Sequence, residues 1–373
     1  MRRRTGGVAA SVVAALVIVV GLAGCGAGPA EETTLARLPG VAPESAVPVL
    51  PEVAAVVVDE VTEAPSPATT AAPVVTTEPP RPAPATTTAP TTTAPAPPVV
   101  ARPARAMPAG AGVYAGLGTW IDTYDWSRTF GKDGPLVEVG DIDRMADLGV
   151  QTLYVQTSRW NASADILEPE RLLPLIARAR ARGMGVVAWY LPTFVDPATD
   201  LRRLLAAAEL DVDAVAVDIE SRDVANVAER NARLVQLSRD LRSARPGMAL
   251  GGIVFPPVVM DVINTSFWPD FPWRELAPLY DVWLPMAYQS FRTDASGYRE
   301  GYRYTAENID RLRANLGLPG AVVHTVGGIA DATTAADVDG MVAAAAERGA
   351  IGGSLYDWRT TSAGLWPHLR AFR

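Results

Sequence analysis

From residue 111 onward the chain alternates short apolar runs with longer amphipathic stretches. Strand-like runs fall at 113–118, 152–156, 185–190, 215–219, 249–255, 282–286, 322–326 and 353–356. Between them, helical spacing of apolar positions predicts helices over 142–148, 170–182, 199–210, 224–244, 273–279, 306–316 and 335–348. The pattern is clearest in 224–244, where Val224, Val227, Leu234, Leu237 and Leu241 share one helical face. Gly149, Gly183, Gly317 and Gly349 each sit just past a helical stretch, where a residue tolerant of left-handed backbone stops the helix. Strands alternating with helices over this length predict an α/β fold, a parallel (β/α)8 TIM barrel spanning 111–373. An open doubly wound sheet is the alternative, but no glycine-rich phosphate loop follows the first strand.

The chain before this domain has another character. Residues 1–24 open with Arg2, Arg3 and Arg4 and continue in an apolar stretch too short to span a membrane comfortably, the pattern of a signal peptide. The ending Leu22-Ala23-Gly24-Cys25 resembles a bacterial lipobox, which implies cleavage before Cys25 and lipidation of its thiol. Cys25 is the sole cysteine, so no internal disulfide can form and an attachment role fits it better. Residues 25–110 are rich in Pro, Thr and Ala and predict a disordered stalk, able to reach on the order of 200 Å where extended. The expected location is the outer face of a bacterial membrane, with the domain held there by its lipid or secreted.

A formal net charge of −8 without a basic stripe argues against a nucleic-acid partner. In a barrel of this kind, chemistry belongs at the C-terminal ends of the strands. The run Asp213-Ala-Val-Ala-Val-Asp218-Ile-Glu220 ends the fourth strand, and alternation puts Asp218 and Glu220 on one side. Carboxylates that close perturb each other, so one can hold a proton while the other stays anionic, a division that sugar-cleaving enzymes use. The plainer reading is a strand end carrying solvated acids. Other strand ends bring Trp120 and Asp122, Arg159 and Trp160, Trp189 and Tyr190, Phe255, Tyr288, His324, Tyr356, Asp357 and Trp358. Indole and phenol rings stack on sugar faces while acids bind hydroxyls, so Trp120, Asp122, Trp189, Tyr190, Asp357 and Trp358 are the expected substrate-binding set. Trp283 and Trp366 are expected to pack internally, and His324 to line the barrel through hydrogen bonds. His324 and His368 are far apart in sequence and form no spaced ligand motif, so no metal and no cofactor is expected.

These motifs resemble glycoside hydrolase family 18, the chitinase-like barrels. That family's fourth strand ends Asp-x-x-Asp-x-Asp-x-Glu; here Asp213, Asp218 and Glu220 fill the first, third and last acidic places, and Ala216 stands in the second. The Met286-Ala287-Tyr288 run matches the family's sixth-strand motif, with Gln289 where an acid often follows, and the run from Gly352 to Trp358 is similar to its eighth-strand ending. The resemblance implies a substrate-assisted mechanism on an N-acetylhexosamine polymer such as peptidoglycan. Glu220 would protonate the glycosidic oxygen, Asp218 orient the acetamido group, Tyr288 bond its carbonyl and Trp358 support the ring. A likeness to family 25 lysozymes, which also carry an Asp-x-Glu pair, keeps direct hydrolysis open. A non-catalytic glycan-binding barrel and a tethered scaffold are the readings outside enzymes, and a monomer is expected.

Overall fold

The computed structural model describes residues 108–131 and 134–373. The signal peptide, Cys25 and nearly all of the stalk therefore lie outside the described residues. Eight parallel strands form one sheet: β1 (Gly116–Ile121), β2 (Thr152–Gln156), β3 (Gly185–Tyr190), β4 (Ala214–Ile219), β5 (Ala249–Val254), β6 (Val282–Pro285), β7 (His324–Gly328) and β8 (Gly352–Tyr356). Their order is β6-β5-β4-β3-β2-β1-β8-β7, and parallel bridges from Trp283 to Val323 and Met286 to Val326 join the two edges. The result is a nearly closed (β/α)8 barrel.

The helices are α1 (Thr123–Trp126), α2 (Val139–Leu148), α3 (Pro169–Ala181), α4 (Pro197–Ala208), α5 (Val227–Ala244), α6 (Trp273–Leu276), α7 (Gly301–Leu316), α8 (Ala335–Glu347) and α9 (Trp366–Leu369). Helix α5 starts later than the apolar pattern suggests, because the Asn226 side chain accepts from Glu229 N and caps it, leaving Val224 in the preceding loop. Helices α2 and α7 end on Gly149 and Gly317 in the left-handed region, at φ of 91° and 66°, as the stop signals require. Strand β1 begins three residues beyond its expected start. A turn over Ala111–Tyr114 intervenes, and the Tyr114 hydroxyl reaches beneath the barrel to donate to Val215 O at 3.0 Å.

Alternation along each strand divides its side chains between two cores. Leu117, Ile121, Leu153, Val155 and Val186 face the helices and pack with Ile142, Met145, Leu172, Ile176 and Met341. Each such aliphatic side chain contributes on the order of 2 kcal/mol by leaving water. The opposite parity fills the barrel. Trp120 stacks on Tyr154 at 4.1 Å, Tyr154 lies 5.3 Å from the His324 ring, and a Cβ at Gly118 would strike Tyr154 and crowd His324. This packed interior closes the barrel below its C-terminal mouth.

Candidate active site at the barrel mouth

Asp218 is buried on β4, and Glu220 follows the last strand residue, half-buried. Asp218 has the parity of Ala216, whose register neighbours are the large Trp189 on β3 and the bare Gly251 on β5. Ala216 has no exposed surface, so an acid there would be a fully buried charge beside an indole. From the end of β6, Tyr288 enters the same field. Burial first, then the negative charges of Glu220, Asp218 and Asp357, push its phenol well above the ordinary value. The ends of β4, β6 and β8 therefore converge electrostatically on one hydroxyl. The Tyr288 ring lies 6.3 Å from Tyr356, which in turn lies 6.3 Å from Trp120.

Across the mouth, where β1 and β8 adjoin, a second acidic group forms. Asp122 caps α1 by accepting from Tyr124 N and Asp125 N, and its Oδ2 accepts from the Tyr356 hydroxyl at 2.6 Å. Asp125 returns the bond, accepting from Asp122 N at 2.9 Å, and Arg359 lies 3.6 Å from its other oxygen. Asp357 accepts from the backbone and hydroxyl of Thr360. Burial, with Asp122 and Asp357 nearby, raises the Asp125 carboxyl to about 9, and burial likewise raises Asp357. Among the described residues, these three acids are the set whose ligand oxygens all lie within 4.8 Å of one another, close enough to share a cation. Their oxygens are engaged in capping and turn bonds, and a proton on Asp125 relieves the same repulsion.

The expected binding residues separate by parity. Trp189 faces inward, edge-on to Trp120 at 6.0 Å, and its buried indole N–H has no hydrogen-bond partner in the protein. Trp120 is buried in the interior stack, donating to Ser354 Oγ at 2.8 Å. Tyr190 corrects the expectation made for it. One residue on from Trp189, it points behind the sheet, fully buried, where its hydroxyl donates to Asp200 at 2.8 Å and accepts from Arg203 at 3.1 Å. Trp358 also departs from its expected place: the strand ends at Tyr356, the chain turns at Asp357, and the indole packs 5.4 Å from Trp366 against the helix-side core. Tyr356 holds the inward position instead.

His324 lines the interior, and its bonding fixes its tautomer. Nδ1 donates to the Tyr114 carbonyl at 2.8 Å, so Nε2 accepts from Ser354 Oγ at 2.9 Å, and burial lowers its pKa to about 4. Arg159 is buried between the rings of Tyr124 at 4.3 Å and Phe130 at 4.9 Å, while Trp160 beside it is 51% exposed. Asp125 was not singled out from sequence, where it reads only as the partner of an i, i+3 capping box, and Tyr356 was named at its strand end but left out of the expected binding set. A cavity of about 430 Å3 opens at the opposite end of the barrel, lined by Gly112, Gly116, Gln151, Gly185 and Arg373. It holds no acid and lies away from the strand ends that carry them.

No protein-family model matches the chain, and no curated protein matches it. Solved structures do. The chain is similar to the C-terminal domain of a chitinase candidate from Desulfitobacterium hafniense, with TM-score 0.50 at 14% identity, over 69% of this chain and 100% of that one. It is similar to a family 18 chitinase from Cycas revoluta solved with (GlcNAc)3, with TM-score 0.50 at 12% identity, over 69% and 99% of the two chains. The spore cortex-lytic enzyme SleL from Bacillus cereus aligns with TM-score 0.50 at 9% identity, over 69% and 74%. At these identities the likeness carries the fold, and the described domain shares the (β/α)8 barrel with all three.

Proposed function

We propose that this barrel is a glycoside hydrolase of the cell envelope that cleaves an N-acetylhexosamine-containing polysaccharide such as peptidoglycan. The observation that carries the reading is Tyr288, whose phenol lies in the combined field of Asp218, Glu220 and Asp357. Similar barrels include a chitinase bound to (GlcNAc)3 and a spore cortex-lytic enzyme, which supports a glycan ligand of this class.

In this reading the Glu220 carboxyl gives its proton to the glycosidic oxygen as the bond to the anomeric carbon breaks. The substrate's own acetamido carbonyl oxygen bonds that carbon from the opposite face. Asp218 accepts the acetamido N–H and stabilises its developing positive charge, while Tyr288 donates to the carbonyl oxygen. Water, deprotonated by Glu220, then opens the cyclic intermediate with net retention. Tyr288 suits a donor's role because burial first, and then the surrounding acids, hold its proton on the phenol.

The test is release of reducing ends from purified peptidoglycan and N-acetylglucosamine oligomers by wild type beside Glu220→Gln. Cleavage by wild type alone supports the reading, and equal activity in both proteins removes Glu220 from the chemistry. One observation favours a second reading, glycan recognition without turnover: Ala216 leaves Asp218 without the neighbouring acid of the family pattern. Binding of the same oligomers with no release by wild type selects it. The lipid anchor belongs to the proposal too. A Cys25→Ser protein is expected to leave the membrane fraction, and an unaltered distribution contradicts the anchor.

A further inference from the structure

Two residues beyond Glu220 the chain places the first of two arginines, Arg222 and Arg230, that form no ion pair among the described residues. Arg222, two residues beyond Glu220, is exposed; its guanidinium lies 4.4 Å over the Phe267 ring and donates to Phe267 O at 3.2 Å. Arg230 lies 4.3 Å over the next aromatic, Trp268, and donates to Val224 O at 3.1 Å. Phe255, which follows β5, links the two rings, 4.6 Å from Phe267 and 6.3 Å from Trp268. Both guanidinium groups therefore rest on one aromatic wall on the β4 and β5 side of the mouth.

Three features mark this pair as built for an anion. Arg230 is only 4% exposed and its Nε has no partner, although most arginines on this surface are matched to acids. Among the described residues, neither Arg222 nor Arg230 lies within ion-pair distance of any carboxylate; Glu229, the acid next to Arg230, is paired with Arg233. Arg230 also sits in the first turn and a half of the 18-residue α5, where the helix dipole adds to the positive potential. Burial, then repulsion from Arg222, lower its pKa, a cost against which the stacking on Trp268 acts.

We propose that Arg222 and Arg230 form a subsite for an anionic group, a carboxylate or a phosphate, borne by the glycan bound beside Glu220. Arg222 makes the contact, and Arg230 supplies the second charge behind it. The inference deepens the glycan reading above and rests on it. An uncharged chitin-like chain would leave the pair unanswered, whereas a polymer carrying lactyl carboxylates or sugar phosphates would neutralise it.

The experiment measures affinity of the full-length protein for three tetrasaccharides of equal length. One is uncharged N-acetylglucosamine, one alternates it with N-acetylmuramic acid bearing free lactyl carboxylates, and one carries 6-phosphates. One charge-assisted contact predicts that at least one anionic oligomer binds about tenfold more tightly than the neutral one, with the ratio falling as salt rises. Which of the two gains identifies the anion. Arg222→Gln brings the ratio close to one, and Arg222→Lys retains part of it. Equal affinity of wild type for all three overturns this inference and leaves the glycan reading standing. Absence of binding to any of them overturns both.

Discussion

The Tyr356 hydroxyl donates a 2.6 Å hydrogen bond to Asp122 Oδ2, tying the last strand of the barrel to the cap of its first helix. The bond also holds the Tyr356 ring between Trp120 and Tyr288. Charge-assisted bonds contribute about 1.5–3 kcal/mol, and the partial exposure of this pair argues for the lower part of that range. Tyr356→Phe is expected to lower the urea-unfolding free energy by about 1.5 kcal/mol. An unchanged midpoint and slope would show that the tie contributes nothing.

Asp125 gives a pH signature of opposite sign to an ordinary surface acid. Its folded pKa is raised to about 9, so its stabilising contribution is complete below the unfolded value of 3.8 and is lost as pH rises through about 9. Asn imitates the protonated acid and keeps the oxygen that accepts from Asp122 N. Asp125→Asn is therefore expected to raise Tm relative to wild type at pH 8 and to matter little at pH 4. A difference that stays constant across that range contradicts the assignment.

His324 works in the other direction. Its folded pKa is lowered from 6.5 to about 4, so the stability it contributes is present above 6.5 and is lost as pH falls through about 4. The shift corresponds to a loss on the order of 3 kcal/mol over that window. Titration followed by NMR is expected to find the His324 ring neutral at pH 5.5, where an unperturbed histidine is mostly charged. A midpoint near 6.5 would break the bonding order from Trp120 through Ser354 to His324.

Tyr190 separates packing from binding. Removing its hydroxyl leaves the buried Asp200 short of one donor while the Phe194 N–H bond persists at 2.9 Å. Tyr190→Phe is expected to cost about 1–3 kcal/mol of stability. Glycan affinity should be unaltered, since the ring lies behind the sheet. Weaker glycan binding at full stability would return Tyr190 to the site.

The barrel was legible in the sequence because each strand is a short apolar run closed by a turn, and because glycines such as Gly149 and Gly317 mark helix ends. The place of the two acids along the chain was legible too, since the expected strand 215–219 matches β4, with Asp218 on it and Glu220 directly after it. Parity was the harder reading. Neighbouring aromatics at one strand end point to opposite faces, so Trp189 and Tyr190 could not both line the mouth. Trp358 was misplaced for a related reason: alternation stops where β8 ends, and the turn at Asp357 swings the next indole toward Trp366. Asp125 stayed hidden because an acid three residues after a capping Asp reads as helix-start chemistry, and only the fold brings Asp357 beside it.

The central claim is that Glu220 delivers a proton to the glycosidic oxygen. It is tested most directly by comparing wild type and Glu220→Gln on two substrates, an N-acetylglucosamine oligomer and the same sugar carrying a dinitrophenyl leaving group that needs no protonation. The account predicts that Glu220→Gln loses about a thousandfold in kcat on the oligomer and far less in bond cleavage of the activated substrate. Equal losses on both, or none on either, would contradict it.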